Sequence, residues 1–310
     1  MVDMADMTRL STEHYAMLAD DWIVEGDTFT SPMVKERPAQ TLLFGERLRN
    51  GSISADIIVL DTQPAWRGDP SMEANLVIRY AGTDNSFYAG TGAFFSKFFI
   101  GKVLPGPFWV QRARVGHPGS IQKNKKYRLR LEFSGSRITL YENDVQQLVV
   151  VDESYQMGQC GISTFLTCAR FENICIYKAR PRAFLIMPFK SELDFVHNVI
   201  DETVRLFGID CVRADQIAIS RPVMEDVKVQ IAEADVVIVD FTDKNPNVYY
   251  EAGLADAWKK DWIVLTQSTD DLTFDVRHIR CIKYSNTMGA DKKLKADLEN
   301  ALKALHYKSD

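Results

Sequence analysis

Glu251 is the side chain of this sequence that most needs a chemical explanation. It lies in the segment 245–255, which reads as a helix start: Asn245 suits the N-cap, and Pro246 suits the first helical position, where no backbone N–H is needed. Residues four apart share a helix face, so Glu251 lies beside the apolar Ala255. The helix is apolar almost all round, which predicts that protein covers it. A carboxylate in that setting is costly unless it is paired or used.

Two structural explanations compete with a catalytic one. A capping box needs its carboxylate at the third helical position, and neither a cap at Asn245 nor a cap at Asn247 puts Glu251 there. A buried ion pair with a distant arginine, such as Arg213 or Arg277, stays open, because structural pairs also perturb buried acids. Of these explanations, a functional role for Glu251 is favoured.

The elements that would position Glu251 alternate between strand and helix from residue 182 onward. The wholly apolar run 183–187 is typical of a parallel strand buried on both faces. Further strands are predicted at 209–213, 236–240, 262–266 and 281–284, and helices at 193–207, 221–232, around Glu251 and at 291–305. This alternation predicts a doubly wound parallel α/β sheet of flavodoxin-like type for residues 181–310. In such folds ligands bind at the carboxyl ends of the strands.

Residues 1–180 have a different period, and they predict an antiparallel β-sandwich. After a helix signal at 12–20, short alternating runs are separated by turn residues. The predicted strands are 41–44, 52–60, 74–80, 86–91, 108–114, 126–133, 137–142, 147–151, 161–167 and 170–177. Turns at 134–136 and 142–144 indicate successive hairpins.

This half resembles the concanavalin-like, laminin-G-type jelly roll, chiefly through the runs 127–133, 138–143, 158–164 and 169–174. The resemblance implies a glycan or protein ligand, or glycoside cleavage. No close carboxylate pair suited to glycoside hydrolysis is visible in the sequence. Trp66, Trp109 and Tyr88 could form a sugar-stacking surface, but aromatic residues in a sandwich are more often core, and we favour the core.

Polar and aromatic residues collect at the predicted strand ends of the second half. The residues concerned are Pro188, Phe189, Arg213, Asp215, Asp240, Asn245, Asn247 and Arg277. Carboxylates, amides, an aromatic ring and arginines in one crevice suit a ribose with a base or a phosphate. There is no glycine-rich phosphate loop, which argues against hydride transfer and ATP hydrolysis.

The same residues resemble the TIR-like and nucleoside 2-deoxyribosyltransferase-like superfamily over roughly 182–287. Five blocks occur in order: Ile186-Met187-Pro188-Phe189, Arg213-Ala214-Asp215, 234–240, 245–255 and Phe274-Asp275-Val276-Arg277. Members cleave the bond between a sugar C1 and a base with a glutamate. A carboxylate would stabilise or trap the positive charge that develops at C1.

The resemblance implies a nucleotide N-glycosidase, acting on NAD or a related nucleotide, of the immune or antiviral effector type and regulated by the sandwich. Glu251 and Asp240 would be catalytic, and the other strand-end residues would bind substrate. It also implies a nucleotide partner, a homo-oligomer and no further cofactor. The alternatives are a non-catalytic nucleotide-messenger module and a nucleoside 2-deoxyribosyltransferase.

The overall composition argues against several other classes of protein. Residues 1–180 carry 20 basic and 20 acidic residues, and residues 181–310 carry 17 and 22, so no basic footprint for nucleic acid is present. The five cysteines lack metal-ligand or disulfide spacing and predict reduced thiols in the cytoplasm. No secretory signal and no run of ~18 apolar residues is present, so we expect no membrane span. The scattered histidines predict no metal site.

Overall fold

The chain folds as two units, Met1–Ala179 and Arg180–Asp310. The computed structural model describes residues 7–18, 21–33, 39–64, 72–93, 95–106, 108–213, 223–287, 289–305 and 307. Trp66 and Asp215 lie outside the described residues.

The first unit consists of antiparallel strands. In chain order they are β1 (Thr8–Leu10), β2 (Tyr15–Met17), β3 (Ile23–Glu25), β4 (Thr28–Thr30), β5 (Ala39–Leu48), β6 (Gly51–Thr62), β7 (Glu73–Tyr80), β8 (Ser86–Thr91), β9 (Phe98–Leu104), β10 (Phe108–Val115), β11 (Lys126–Ser134), β12 (Arg137–Glu142), β13 (Val145–Val151), β14 (Gly158–Phe165) and β15 (Thr167–Lys178). Sheet A has the order β13-β12-β11-β6-β15-β4-β3, with β1 beside β15. Sheet B has the order β10-β9-β8-β7-β14-β5-β2.

One hydrophobic core lies between sheets A and B. Strand β7 shows the alternation: Leu76 and Ile78 belong to this core, whereas Val77 belongs to a second, smaller cluster with Tyr88 and Phe99. We call the side that carries Val77 the outer face of sheet B. The predicted antiparallel β-sandwich is confirmed by these two sheets.

Two local predictions in the sandwich are wrong. Residues 12–20 were expected to be helical, but β2 lies there and pairs with β5 over Phe44–Leu42. Strand β9 was missed because it shows no alternation: Phe98 and Ile100 enter the core, while Phe99 and Val103 fill the outer cluster. A strand buried on both faces cannot be distinguished by its period from a buried helix segment.

The second unit contains a parallel sheet with helices. Its elements are β16 (Arg182–Ile186), α1 (Asp194–Arg205), β17 (Asp210–Arg213), α2 (Val223–Glu233), β18 (Val236–Asp240), α3 (Pro246–Ala257), β19 (Asp261–Thr266), β20 (Cys281–Lys283) and α4 (Ala290–Ala304). The strand order is β17-β16-β18-β19-β20, and every pair is parallel. A parallel sheet with helices is therefore established for this unit.

Helices pack on both faces of the parallel sheet. Helices α1 and α4 share one cluster with Leu185, and helices α2 and α3 share another with Phe184. The run 183–187 is therefore buried on both faces, as its apolar composition predicts. Within the described ranges, no helix is both long and apolar enough to cross a membrane.

Candidate functional sites

Asp240 is the last residue of β18. Its carboxylate is buried, and both carboxylate oxygens accept hydrogen bonds. Its Oδ1 accepts hydrogen bonds from the Thr242 backbone N–H at 3.0 Å and the Thr242 hydroxyl at 2.6 Å. Its Oδ2 accepts one from the Tyr284 hydroxyl at 2.6 Å. Burial raises the pKa of Asp240, and these hydrogen bonds oppose the rise. The carboxylate therefore joins the ends of β18 and β20 inside the fold.

Thr242 and Tyr284 were missed by the sequence analysis. The Tyr284 hydroxyl also lies 3.1 Å from the Thr242 hydroxyl, which accepts from the Gln267 N–H at 3.1 Å. Tyr284 directly follows β20, a position at the sheet edge where carboxyl ends meet. The sequence feature that could have indicated this role of Tyr284 is its position at the end of a predicted strand.

Glu251 lies on α3 with its side chain partly buried. Burial raises the pKa of Glu251 to about 7. Among the described residues it makes no hydrogen bond or ion pair, so neither Arg213 nor Arg277 neutralises it. Desolvation raises the pKa of Glu251, and no hydrogen bond or ion pair with a described residue opposes this rise.

The start of α3 follows the predicted capping chemistry. Asn245 is the N-cap, and its Oδ1 accepts from the Asn247 backbone N–H at 3.0 Å. Pro246 occupies the first turn. Asn247 is exposed at the second helical position, so Asn245 alone is the cap.

The structure brings two of the predicted binding residues together. The Arg213 guanidinium carbon lies 5.8 Å from the centre of the Phe189 ring, which is 60% exposed. Arg213 also lies 3.8 Å from an Asp194 carboxylate oxygen. Pro188, beside Phe189, is buried. This end of the sheet therefore carries the exposed ring of Phe189 and the guanidinium of Arg213, which already lies close to Phe189 and Asp194.

Arg277 is tied to its own loop. Its Nε donates to the Leu272 carbonyl oxygen at 2.9 Å. In the described part of the chain, Arg277 makes no hydrogen bond or ion pair with Glu251, Asp240 or Arg213. The convergence of all nine predicted binding and catalytic residues in one crevice stays a prediction.

The outer face of sheet B carries an exposed tryptophan. Trp109 pairs with Val103 and is 40% exposed. Its ring lies 4.8 Å from that of Tyr88, between centroids. Gly101 on β9 pairs with Tyr88 on β8 and with Gln111 on β10, and it contributes no side chain to the outer face. The ring planes are tilted by 49°, and Tyr88 is buried beneath the exposed Trp109, with 6% of its surface accessible; we call this pair the aromatic platform.

A row of polar side chains crosses the same face. Thr41, Ser163 and Asn75 are register neighbours on β5, β14 and β7, and the hydroxyls of Thr41 and Ser163 lie 3.1 Å apart. Asn75 Nδ2 donates to Glu73 Oε1 at 3.1 Å, while its buried Oδ1 has no partner among the described residues. Burial raises the pKa of Glu73 to about 7.

Similarity to solved structures concerns about half of the chain. No family model and no curated protein matches the sequence. Carbohydrate-binding module CBM66 from Bacillus subtilis is 20% identical with a TM-score of 0.44, over 52% of this chain and 92% of that one. A Bacillus subtilis protein of unknown function with a galectin-like fold is 12% identical (TM-score 0.38, 55% and 92%). The Crh5 transglycosylase in complex with NAG is 6% identical (TM-score 0.39, 56% and 84%). These likenesses concern the fold alone.

The predicted nucleotide chemistry is wrong by these comparisons. The similar structures are named for carbohydrate binding and glycoside chemistry, and not for a nucleotide N-glycosidase, a nucleotide-messenger module or a 2-deoxyribosyltransferase. NAD and other nucleotides are therefore withdrawn as substrate and partner, together with the effector role. In the structure both carboxylate oxygens of Asp240 already accept hydrogen bonds, from Thr242 and Tyr284, and the catalytic roles predicted for Asp240 and Glu251 stay predictions.

Proposed function

We propose that the sandwich binds a glycan on the outer face of sheet B. The observation that carries this proposal is the platform of Trp109 and Tyr88, with centroids 4.8 Å apart and Trp109 exposed at 40%. A large aromatic face offers apolar area at little conformational cost, and the C–H faces of a sugar ring are apolar. Binding sites combine such area with a few placed polar groups.

The polar row supplies those groups. Asn75 Oδ1 has no partner among the described residues, and the hydroxyls of Thr41 and Ser163 can both donate and accept; all three side chains are buried in the outer face of sheet B. Glu73, with its pKa near 7, donates when protonated and accepts when ionised. Sugar hydroxyls match both kinds of partner.

Binding without cleavage fits the acids of the sandwich. Glycoside hydrolysis uses two carboxylates across one bond. Glu142 pairs with Lys97 at 2.8 Å, and Glu172 pairs with Lys126 at 2.8 Å. Glu132 pairs with Arg130. Each of these three glutamates is held by a neighbouring cation, and no two of them pair across a common cleft in the contacts of the described residues.

The test is retention of the full chain on immobilised polysaccharides, for example β-glucan, xylan, mannan and levan. At least one should retain the wild type, and Trp109→Ala should weaken retention by about tenfold, or about 1.4 kcal/mol. Phe108→Ala is the matched control, because Phe108 is the exposed neighbouring aromatic residue of the same strand. Retention on none of the polysaccharides, or equal retention of wild type and Trp109→Ala, would remove the proposal.

We also propose finer assignments for both folds: a concanavalin-like, laminin-G-type jelly roll, and a doubly wound, flavodoxin-like sheet of TIR-like type. Support for the second is the strand order, with β16 in an inner position, and helices on both faces. No nucleotide activity is attached to it. An experimental structure with another strand order would refute it.

A cytoplasmic location is proposed on the state of the cysteines. All five are free, and burial raises the pKa of Cys160 to about 12. Free thiols persist in a reducing compartment. Cell fractionation tests this location, and recovery only from an oxidising compartment would contradict it.

A further inference from the structure

A cavity of about 460 Å³ lies at the edge of the parallel sheet, between β19, β20 and α4. It forms because β20 is only three residues long and pairs with β19 over Val264–Thr266, so the first half of β19 lies beyond its register. Helix α4 bounds the other side with Lys293, Asp297 and Ala301, which lie four residues apart on one face. The volume falls within the roughly 300–1,000 Å³ of small-molecule sites.

Three cations surround this cavity. Arg280 immediately precedes β20, Lys283 is its last residue, and Lys293 lies on α4; all three side chains are exposed. None of them forms an ion pair or hydrogen bond with any residue that the structure describes. Asp297 is the one acid among the lining residues, although residues 181–310 as a whole carry 17 basic and 22 acidic residues. An acidic unit therefore has a locally positive cavity, which attracts anions.

Apolar residues also line the cavity beside these cations. Trp262 and Ile263 come from β19, and Leu305 follows α4. An inorganic ion would satisfy the cations but would leave this surface in contact with water. A ligand with both an acidic group and an apolar body uses both parts of the cavity.

We propose that this cavity binds an organic anion, a carboxylate or phosphate that bears an aromatic or aliphatic body. The acidic group lies among Arg280, Lys283 and Lys293, and the body packs against Ala304 and Leu305 at the end of α4. The site lies wholly within the second unit, so this proposal is independent of glycan binding by the sandwich.

Calorimetric titration of the full chain with phenyl phosphate tests the proposal, with phenylacetate as the carboxylate arm. Inorganic phosphate lacks the body and benzyl alcohol lacks the charge, so both should bind at least tenfold more weakly than the better of the two anions. The affinity should also fall as salt rises from 50 to 500 mM, because the cations are exposed.

Two sets of variants locate the binding. The triple variant Arg280→Gln, Lys283→Gln, Lys293→Gln should weaken binding at least tenfold, whereas Lys292→Gln, on the same helix outside the cavity, should stay within twofold. Asp297→Asn should strengthen binding about twofold, since it removes a like charge. Ala304→Trp should weaken binding at least fivefold by filling the apolar end while it leaves every charge in place.

The outcomes that overturn the proposal are distinct. Absence of binding by either anion, equal affinity for benzyl alcohol, or equal affinity of the wild type and the triple variant would each refute it. Since the substituted side chains are exposed, all variants should keep the wild-type circular dichroism spectrum and melting temperature within about 3 °C.

Discussion

The Tyr284 hydroxyl donates to Asp240 Oδ2 at 2.6 Å, and this bond joins the ends of two strands between which β19 lies. Both side chains are buried, and burial raises the pKa of each group. A buried carboxylate is tolerated when each of its oxygens receives a hydrogen bond. Asp240 meets that condition only with both Thr242 and Tyr284 in place.

Tyr284→Phe should therefore destabilise the protein by about 1–3 kcal/mol, because it leaves Asp240 Oδ2 buried without a donor. Urea denaturation at pH 7 measures this. Tyr250→Phe is the control: Tyr250 is 53% exposed, and its loss should stay within about 0.5 kcal/mol. Equal stabilities of the two variants would show that the Tyr284 bond contributes nothing.

Glu251→Gln should change how stability depends on pH. The folded pKa of Glu251 is about 7, against 4.5 for the free side chain, so between these values the folded state holds more protons than the unfolded state. The stability of the wild type should then fall as pH rises from 4.5 to 7, and glutamine removes that fall. The free energy of unfolding of Glu251→Gln, relative to that of the wild type, should therefore increase by about 1–2 kcal/mol as the pH rises across this window. This range allows for solvent screening, because Glu251 is partly exposed.

Denaturation of both proteins at pH 5 and pH 8 measures that difference. Glu202→Gln on α1 serves as the control, because Glu202 is an exposed helical glutamate. A constant difference between Glu251→Gln and wild type at the two pH values would mean that Glu251 ionises at its ordinary pKa.

Gly253→Ala should stabilise the protein. Gly253 lies in the middle of α3, and a Cβ added there meets no atom within 4 Å. Alanine loses less conformational freedom than glycine in a helix, so the gain should be about 0.5–1 kcal/mol. Thermal denaturation measures it as a higher melting temperature, and an unchanged or lower value would contradict the open surroundings of this residue.

Gly90→Ala should have the opposite effect. A Cβ at Gly90 would press against the Ala74 carbonyl oxygen and lie 2.5 Å from Asn75 Oδ1, on the strand paired with it. Overpacking at a backbone contact costs about 1–3 kcal/mol. Gly45→Ala in the same sheet is the control, since its nearest contact is 3.6 Å from the His14 carbonyl oxygen. Destabilisation of both variants by the same amount would mean that the close approach is not the cause.

Element positions in the second unit were largely predictable from periodicity. Helix α1 was expected at 193–207 and runs over Asp194–Arg205, because its apolar residues recur with the helical period. Gly208, three residues beyond this helix, has a φ of 63°, which glycine adopts without strain. The 142–144 hairpin likewise uses Asn143 and Asp144 at φ of 50° and 62°. Local chemistry determines such features.

The candidate sites were less predictable, because they depend on which side chains meet. By itself the sequence determined the period of each half, the caps and turns, and the presence of an acid on an apolar helix. Only the tertiary structure decided that Asp240 is bonded by Thr242 and Tyr284, and that Trp109 and Tyr88 share one face. It also decided that Arg280, Lys283 and Lys293 surround one cavity. The physical reason is range: periodicity acts over a few residues, whereas hydrogen bonds, ring contacts and charge clusters join residues that lie far apart in the chain.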